Sequence, residues 1–147
     1  MELQKDFKEL LKLFNKHKVE YVIVGAYALA FHGCPRYTGD LDILVKPDRN
    51  NAKKILKAIN DFGFGSLKLN LRDLSFPGKV IQLGIPPIRI DILTSITGVT
   101  WKRISANRVA GKYGNVTVHF IGKDELITNK KSIGRHKDLA DLESISK

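Results

Sequence analysis

The run Asp40-Leu41-Asp42-Ile43-Leu44-Val45 sets two carboxylates at alternate positions of an otherwise apolar, strand-forming segment. Side chains alternate across an extended chain, so Asp40, Asp42 and Leu44 share one face while Leu41, Ile43 and Val45 share the other. The two acids then stand side by side, their backbones about 6.6 Å apart at ~3.3 Å per residue. Like charges this close repel and destabilise the strand unless a shared cation offsets them. One face of the strand therefore belongs to a core, and the other is either a polar site or a solvated edge.

A second segment repeats the pattern. In Ile88-Arg89-Ile90-Asp91-Ile92-Leu93, the residues Arg89, Asp91 and Leu93 alternate with three isoleucines, which supplies a third carboxylate on a strand with one wholly apolar face. Three carboxylates with phosphate oxygens and water make an all-oxygen setting, suited to Mg2+ or Mn2+ and wrong for zinc. Two such ions about 4 Å apart activate an attacking hydroxyl and steady a leaving pyrophosphate. Upstream, the β-branched run Tyr21 to Val24 ends at Gly25 and passes into Ala26 to Phe31, a strand, glycine turn and helix. Backbone N–H groups at such a helix start favour phosphate.

The remaining chain alternates helix and strand patterns. Leu3, Phe7, Leu10, Leu11 and Phe14 recur at helical spacing, with Lys5, Lys8, Lys12 and Lys16 on the polar side. Pro47-Asp48 opens a helix carrying Ile55, Leu56, Ile59 and Phe62 and closed by Gly63. The stretch from Leu67 to Pro77 has no clear period. Lys79 to Ile85 and Ile88 to Leu93 read as neighbouring strands separated by Pro86-Pro87, Thr97 to Asn107 as a helix, and Val109 to Ile121 as a hairpin turning at Gly114-Asn115. Lys123 to Lys131 and Arg135 to Ile145 fit two last helices. This order predicts an α/β fold, a mixed sheet flanked by helices.

The 147 residues show no repeat or linker, so one domain spanning 1–147 is expected. A formal charge of +10, from 25 Lys and Arg against 15 Asp and Glu, attracts polyanions, while the three acids form a negative site in a basic surface. No apolar run approaches the ~20 residues of a membrane span. The single cysteine, Cys34, and the absence of a basic-then-apolar leader point to the cytoplasm. Cys34, His32, His136 and Trp101 carry no partner pattern for zinc or nucleophilic chemistry; Trp101 fits a core position.

Taken together, Tyr21-Val22-Ile23-Val24-Gly25-Ala26, thirteen intervening residues, Asp40-Leu41-Asp42-Ile43 and finally Arg89-Ile90-Asp91-Ile92-Leu93 resemble the DNA polymerase β-like nucleotidyltransferase superfamily. Phe31-His32-Gly33, Arg36-Tyr37-Thr38-Gly39 and the basic run Gly134-Arg135-His136-Lys137 resemble its minimal bacterial subgroup, and the likeness spans nearly the whole chain. It implies the nucleotidyltransferase fold and transfer of a nucleoside monophosphate from a nucleoside triphosphate, ATP among them, to a hydroxyl of RNA, protein or a small molecule, releasing pyrophosphate. By the same likeness Asp40, Asp42 and Asp91 are metal-binding and catalytic residues, with Asp91 also positioning or deprotonating the acceptor. Gly25, Ala26, Arg36, Thr38, Lys130, Arg135 and Lys137 are the expected nucleotide contacts. For the basic residues of the last helices the plainer alternative is a solvated face neutralised by Asp138 and Asp141. Ala26 stands where the family usually carries Gly or Ser, so one hydroxyl contact to phosphate is lost. That departure keeps open a catalytically weak nucleotide-binding role, or a regulatory one of the toxin–antitoxin type. A basic RNA-binding module is a third reading, resting on net charge alone.

Overall fold

A computed structural model describes residues 4–34, 39–64, 69–85 and 88–145. Helix α1 (Lys5–Lys16) buries Phe7, Leu10, Leu11 and Phe14, the residues whose three- and four-residue spacing forms one apolar stripe. Strand β1 (Tyr21–Val24) is buried throughout and leads directly into α2 (Gly25–Phe31). Strand β2 (Asp40–Val45) is followed by α3 (Arg49–Ile59), capped by the Asp48 side chain, which accepts from the Asn51 N–H at 2.7 Å. A distorted turn, Asn60–Phe64, ends this helix, with Gly63 in the left-handed region at φ 102°.

The stretch without a sequence period contains a short helix, α4 (Leu71–Ser75), set by a capping box between Asn70 and Asp73. Strands β3 (Val80–Ile85) and β4 (Ile88–Leu93) follow. The expected helix from Thr97 to Asn107 is shorter: α5 covers Trp101–Ala106, because Thr100 caps it by accepting from the Arg103 N–H. Trp101 is partly buried against the core. Strands β5 (Val109–Tyr113) and β6 (Val116–Phe120) form the hairpin at Gly114, and α6 (Lys123–Ile133) and α7 (His136–Ile145) close the chain, joined at Gly134 in the left-handed conformation.

The six strands form one mixed sheet in the order β3-β4-β2-β1-β6-β5. The hairpins β3–β4 and β5–β6 and the pair β1–β2 are antiparallel, whereas β2–β4 and β1–β6 are parallel. Leu41, Ile43, Val45 and Ile92 are fully buried. The α/β fold with a mixed sheet and flanking helices is the one the residue pattern predicted. No helix among the described residues is long and apolar enough to cross a membrane.

Candidate active site

Parallel pairing of β2 with β4 sets Asp42 opposite Asp91 and Asp40 opposite Arg89. Residues in register project from the same face, so the distant acid stands beside the Asp40–Asp42 pair. The row continues on both sides, with Val24 of β1 opposite Asp42 and Gln82 of β3 opposite Asp91. Burial divides the three acids: the Asp91 side chain is 11% exposed and that of Asp40 is 42% exposed.

The guanidinium of Arg89 lies between the two outer acids. Its Nη2 donates to Asp40 Oδ2 at 3.3 Å and to Asp91 Oδ2 at 3.2 Å. Arg89 Nε is 3.0 Å from Asp91 Oδ1, an ion-pair distance, yet the two atoms are not aligned as donor and acceptor, and both remain buried without a hydrogen bond. Among the described residues, no cation is in contact with Asp42. Burial, and then the charges of Asp91 and Asp40, push its carboxyl up to about 6, against weaker opposing effects of Arg89 and Lys137.

Gly25, at φ +67°, brings the β1–α2 turn hard against Asp42. From there a cleft of about 620 Å3 opens, lined by Gly25, Ala26, Asp40, Asp42, Leu93, Asn129, Lys130, Arg135 and Lys137 among others. Asp91 lies beside this cleft and does not line it. Seven of the sequence-predicted residues thus share one cavity; Arg36 and Thr38 lie outside the described residues.

The basic residues differ from one another in setting. Lys130 is buried, its ammonium 3.3 Å from Asp138 and 3.0 Å from Asp141. Asp138, itself fully buried, also accepts from Arg135 Nε at 2.6 Å. The hydrogen bond from Arg135 holds the Asp138 carboxyl down at about 2, with Lys130 adding to it against the cost of desolvation. The plainer alternative holds in part: Lys130 and Arg135 are neutralised by Asp138 and Asp141 as it expects, but the aspartates are buried between α6 and α7 and not on a solvated face. Lys137 is exposed at the cleft.

The fit of a divalent cation turns on these acids. Among the described residues no group of three His, Cys, Asp or Glu side chains is arranged to hold a metal ion, and Arg89 lies in contact with Asp40 and Asp91. The donor chemistry nevertheless suits a hard cation: the carboxyl of Asp42 is raised by burial and by the charges of Asp91 and Asp40, and Asp91 Oδ1 is buried without a hydrogen bond. Arg89 is the site residue that sequence reasoning missed. Its place on the Asp91 face was visible in the period-two pattern; its contact with Asp40 depends on the β2–β4 register.

Among solved structures, the candidate nucleotidyltransferase TM1012 from Thermotoga maritima matches with a TM-score of 0.63 at 17% identity, over 94% of this chain and 88% of that one. Lincomycin-bound LnuA, a lincosamide antibiotic adenylyltransferase, matches with a TM-score of 0.57 at 13% identity, over 99% and 98% of the two chains. An antigenic nucleotidyltransferase-like protein from Paracoccidioides brasiliensis gives 0.55 at 16% identity, over 97% and 77%. By sequence, no family model and no curated protein matches the chain. At these identities the likeness shows the fold alone, a mixed sheet flanked by helices shared with solved nucleotidyltransferases, as the family resemblance implies.

Proposed function

We propose that this chain, as one domain, transfers a nucleoside monophosphate from a nucleoside triphosphate to an acceptor hydroxyl in a metal-dependent reaction. The observation that carries the reading is the register pairing of Asp42 with Asp91 at the edge of a cleft that begins at Gly25. LnuA is named for adenylyl transfer, which supports ATP as donor. A lone thiol, Cys34, fits a reducing compartment such as the cytoplasm.

In this reading Asp40, Asp42 and Asp91 hold Mg2+ or Mn2+, which when bound neutralises charge on the phosphates. The nucleotide lies in the cleft, with the Gly25 and Ala26 backbone close to the phosphates. Arg135 and Lys137 meet their negative charge at the opposite wall, with Arg36 and Thr38 completing the set. Lys130 belongs to the same wall, where its ammonium anchors Asp138 and Asp141. Asp91, beside the cleft, orients the acceptor hydroxyl and takes its proton as oxygen attacks the α-phosphorus. The bond from that phosphorus to the bridging oxygen breaks, and pyrophosphate leaves. The acceptor is a hydroxyl of RNA, protein or a small molecule.

Ala26 on the cleft wall favours a second reading, a nucleotide-binding regulator with slow turnover, because it offers the phosphates no side-chain hydroxyl. Incubating the protein and cell extract with each labelled triphosphate and Mn2+, followed by mass spectrometry, separates the two. Transfer of label that disappears in Asp42→Asn supports the enzyme. Triphosphate binding by calorimetry without any transfer supports the regulator, and absence of binding overturns both.

A further inference from the structure

Arg89 is the one cation in contact with the acids among the described residues, and it bridges two strands. Nη2 reaches Asp40 on β2 and Asp91 on β4, and Nε lies against Asp91 Oδ1 without a hydrogen bond. The side chain is only 27% exposed, so this charge is little screened by water. A guanidinium is a permanent cation, and its planar fork matches two carboxylates in a way a lysine ammonium does not. Asp91 Oδ1, buried 3.0 Å from Arg89 Nε, makes no hydrogen bond among the described residues.

We infer that Arg89 is a built-in counter-cation that occupies the position between Asp40 and Asp91, so that divalent metal enters with the triphosphate and not ahead of it. This rests on the reading of the acids as metal ligands. A free ion arriving at the acids meets a fixed positive charge at the place where it would bind. The same ion carried by a triphosphate brings compensating negative charge, to which the guanidinium can turn when the acids release it. Asp42, which also lines the cleft, is not in contact with Arg89 and is left to the incoming ion. Arg89 is thus a positioning residue for loading and holds Asp40 and Asp91 together in the empty protein.

The test is Mn2+ binding by calorimetry, with and without a non-hydrolysable triphosphate analogue, on wild type, Arg89→Gln and Arg89→Lys. The wild type is expected to bind Mn2+ weakly alone and at least about tenfold more tightly with the analogue, while Arg89→Gln binds Mn2+ alone about tenfold more tightly than wild type. Arg89→Lys, which keeps the charge but not the planar fork, falls between wild type and Arg89→Gln. Should Arg89→Gln fold poorly, the rise of its melting temperature with Mn2+ alone gives the same answer, since the ion then replaces the missing guanidinium. Equal Mn2+ affinity in wild type and Arg89→Gln, with metal-dependent analogue binding intact, overturns the role of Arg89 and leaves the proposed reaction standing. Loss of all Mn2+ and analogue binding in the wild type overturns both.

Discussion

Gly25 packs so closely on Asp42 that a Cβ built on the glycine would lie 2.2 Å from Asp42 Oδ2. The turn that begins the cleft and the acid beside it are therefore fitted to each other. Gly25 also holds a left-handed φ of +67°, which costs another residue roughly 1–2 kcal/mol before any clash is counted. Gly25→Ala is expected to lower stability by at least ~2 kcal/mol and to displace Asp42, so that triphosphate binding falls with it. Thermal melting and calorimetry check this, and an unchanged melting temperature would refute the close fit.

Asp42 predicts how stability follows pH in metal-free protein. Its carboxyl is raised from 3.8 to about 6, so the folded state holds the proton more tightly than the unfolded chain. The stability tied to this group is fully present below about pH 4 and is lost as pH rises through about 6. Asp42→Asn removes the ionisation, so its melting temperature should gain on wild type between pH 4.5 and 8, by a difference on the order of 2–3 kcal/mol. A gap between the two proteins that does not change with pH in this range contradicts the cause assigned here.

Asp91 stands in register with Asp42 but does not line the cleft, so the proposed reaction assigns it to the acceptor and not to the nucleotide. Asp91→Asn is expected to cut the rate of transfer by about 10²-fold or more while triphosphate still binds. Single-turnover assays beside equilibrium binding distinguish the two effects. Equal losses in both would make Asp91 a nucleotide ligand and not an acceptor base.

Period-two alternation made β2 and β4 legible, because the apolar positions that build the core also fix which residues share the acids' face. Gly25, Ala26 and the basic residues of the last helices could be placed in the site from local patterns joined to a family resemblance. Arg89 was in view on the same strand face as Asp91, but its bridge to Asp40 follows from parallel pairing across 49 residues of sequence. Asp138 and Asp141 fall on one side of α7 at helical spacing, a pattern shared by solvated and buried acids; only the approach of Lys130 from α6 decides between them. The expected helix from Thr97 was too long because apolar spacing continues upstream of the cap, where Ile96 and Val99 instead form an isolated bridge.

The two lysines on the cleft wall should respond in opposite ways. Lys130 is buried between Asp138 and Asp141, so Lys130→Met takes the ammonium from two buried carboxylates, of which Asp138 keeps Arg135. Breaking a buried charge network from one side costs about 3–5 kcal/mol, and α7 should loosen from α6. Lys137 is exposed and anchors nothing inside the fold, so Lys137→Ala should leave the melting temperature within error. Its loss removes one cation from the phosphate wall, worth about tenfold in triphosphate affinity for a charge-assisted contact. Melting curves and calorimetry on both variants test the division. A stable Lys130→Met protein with weakened binding would make Lys130 a direct phosphate ligand, and the anchor assigned to its buried ammonium would fall.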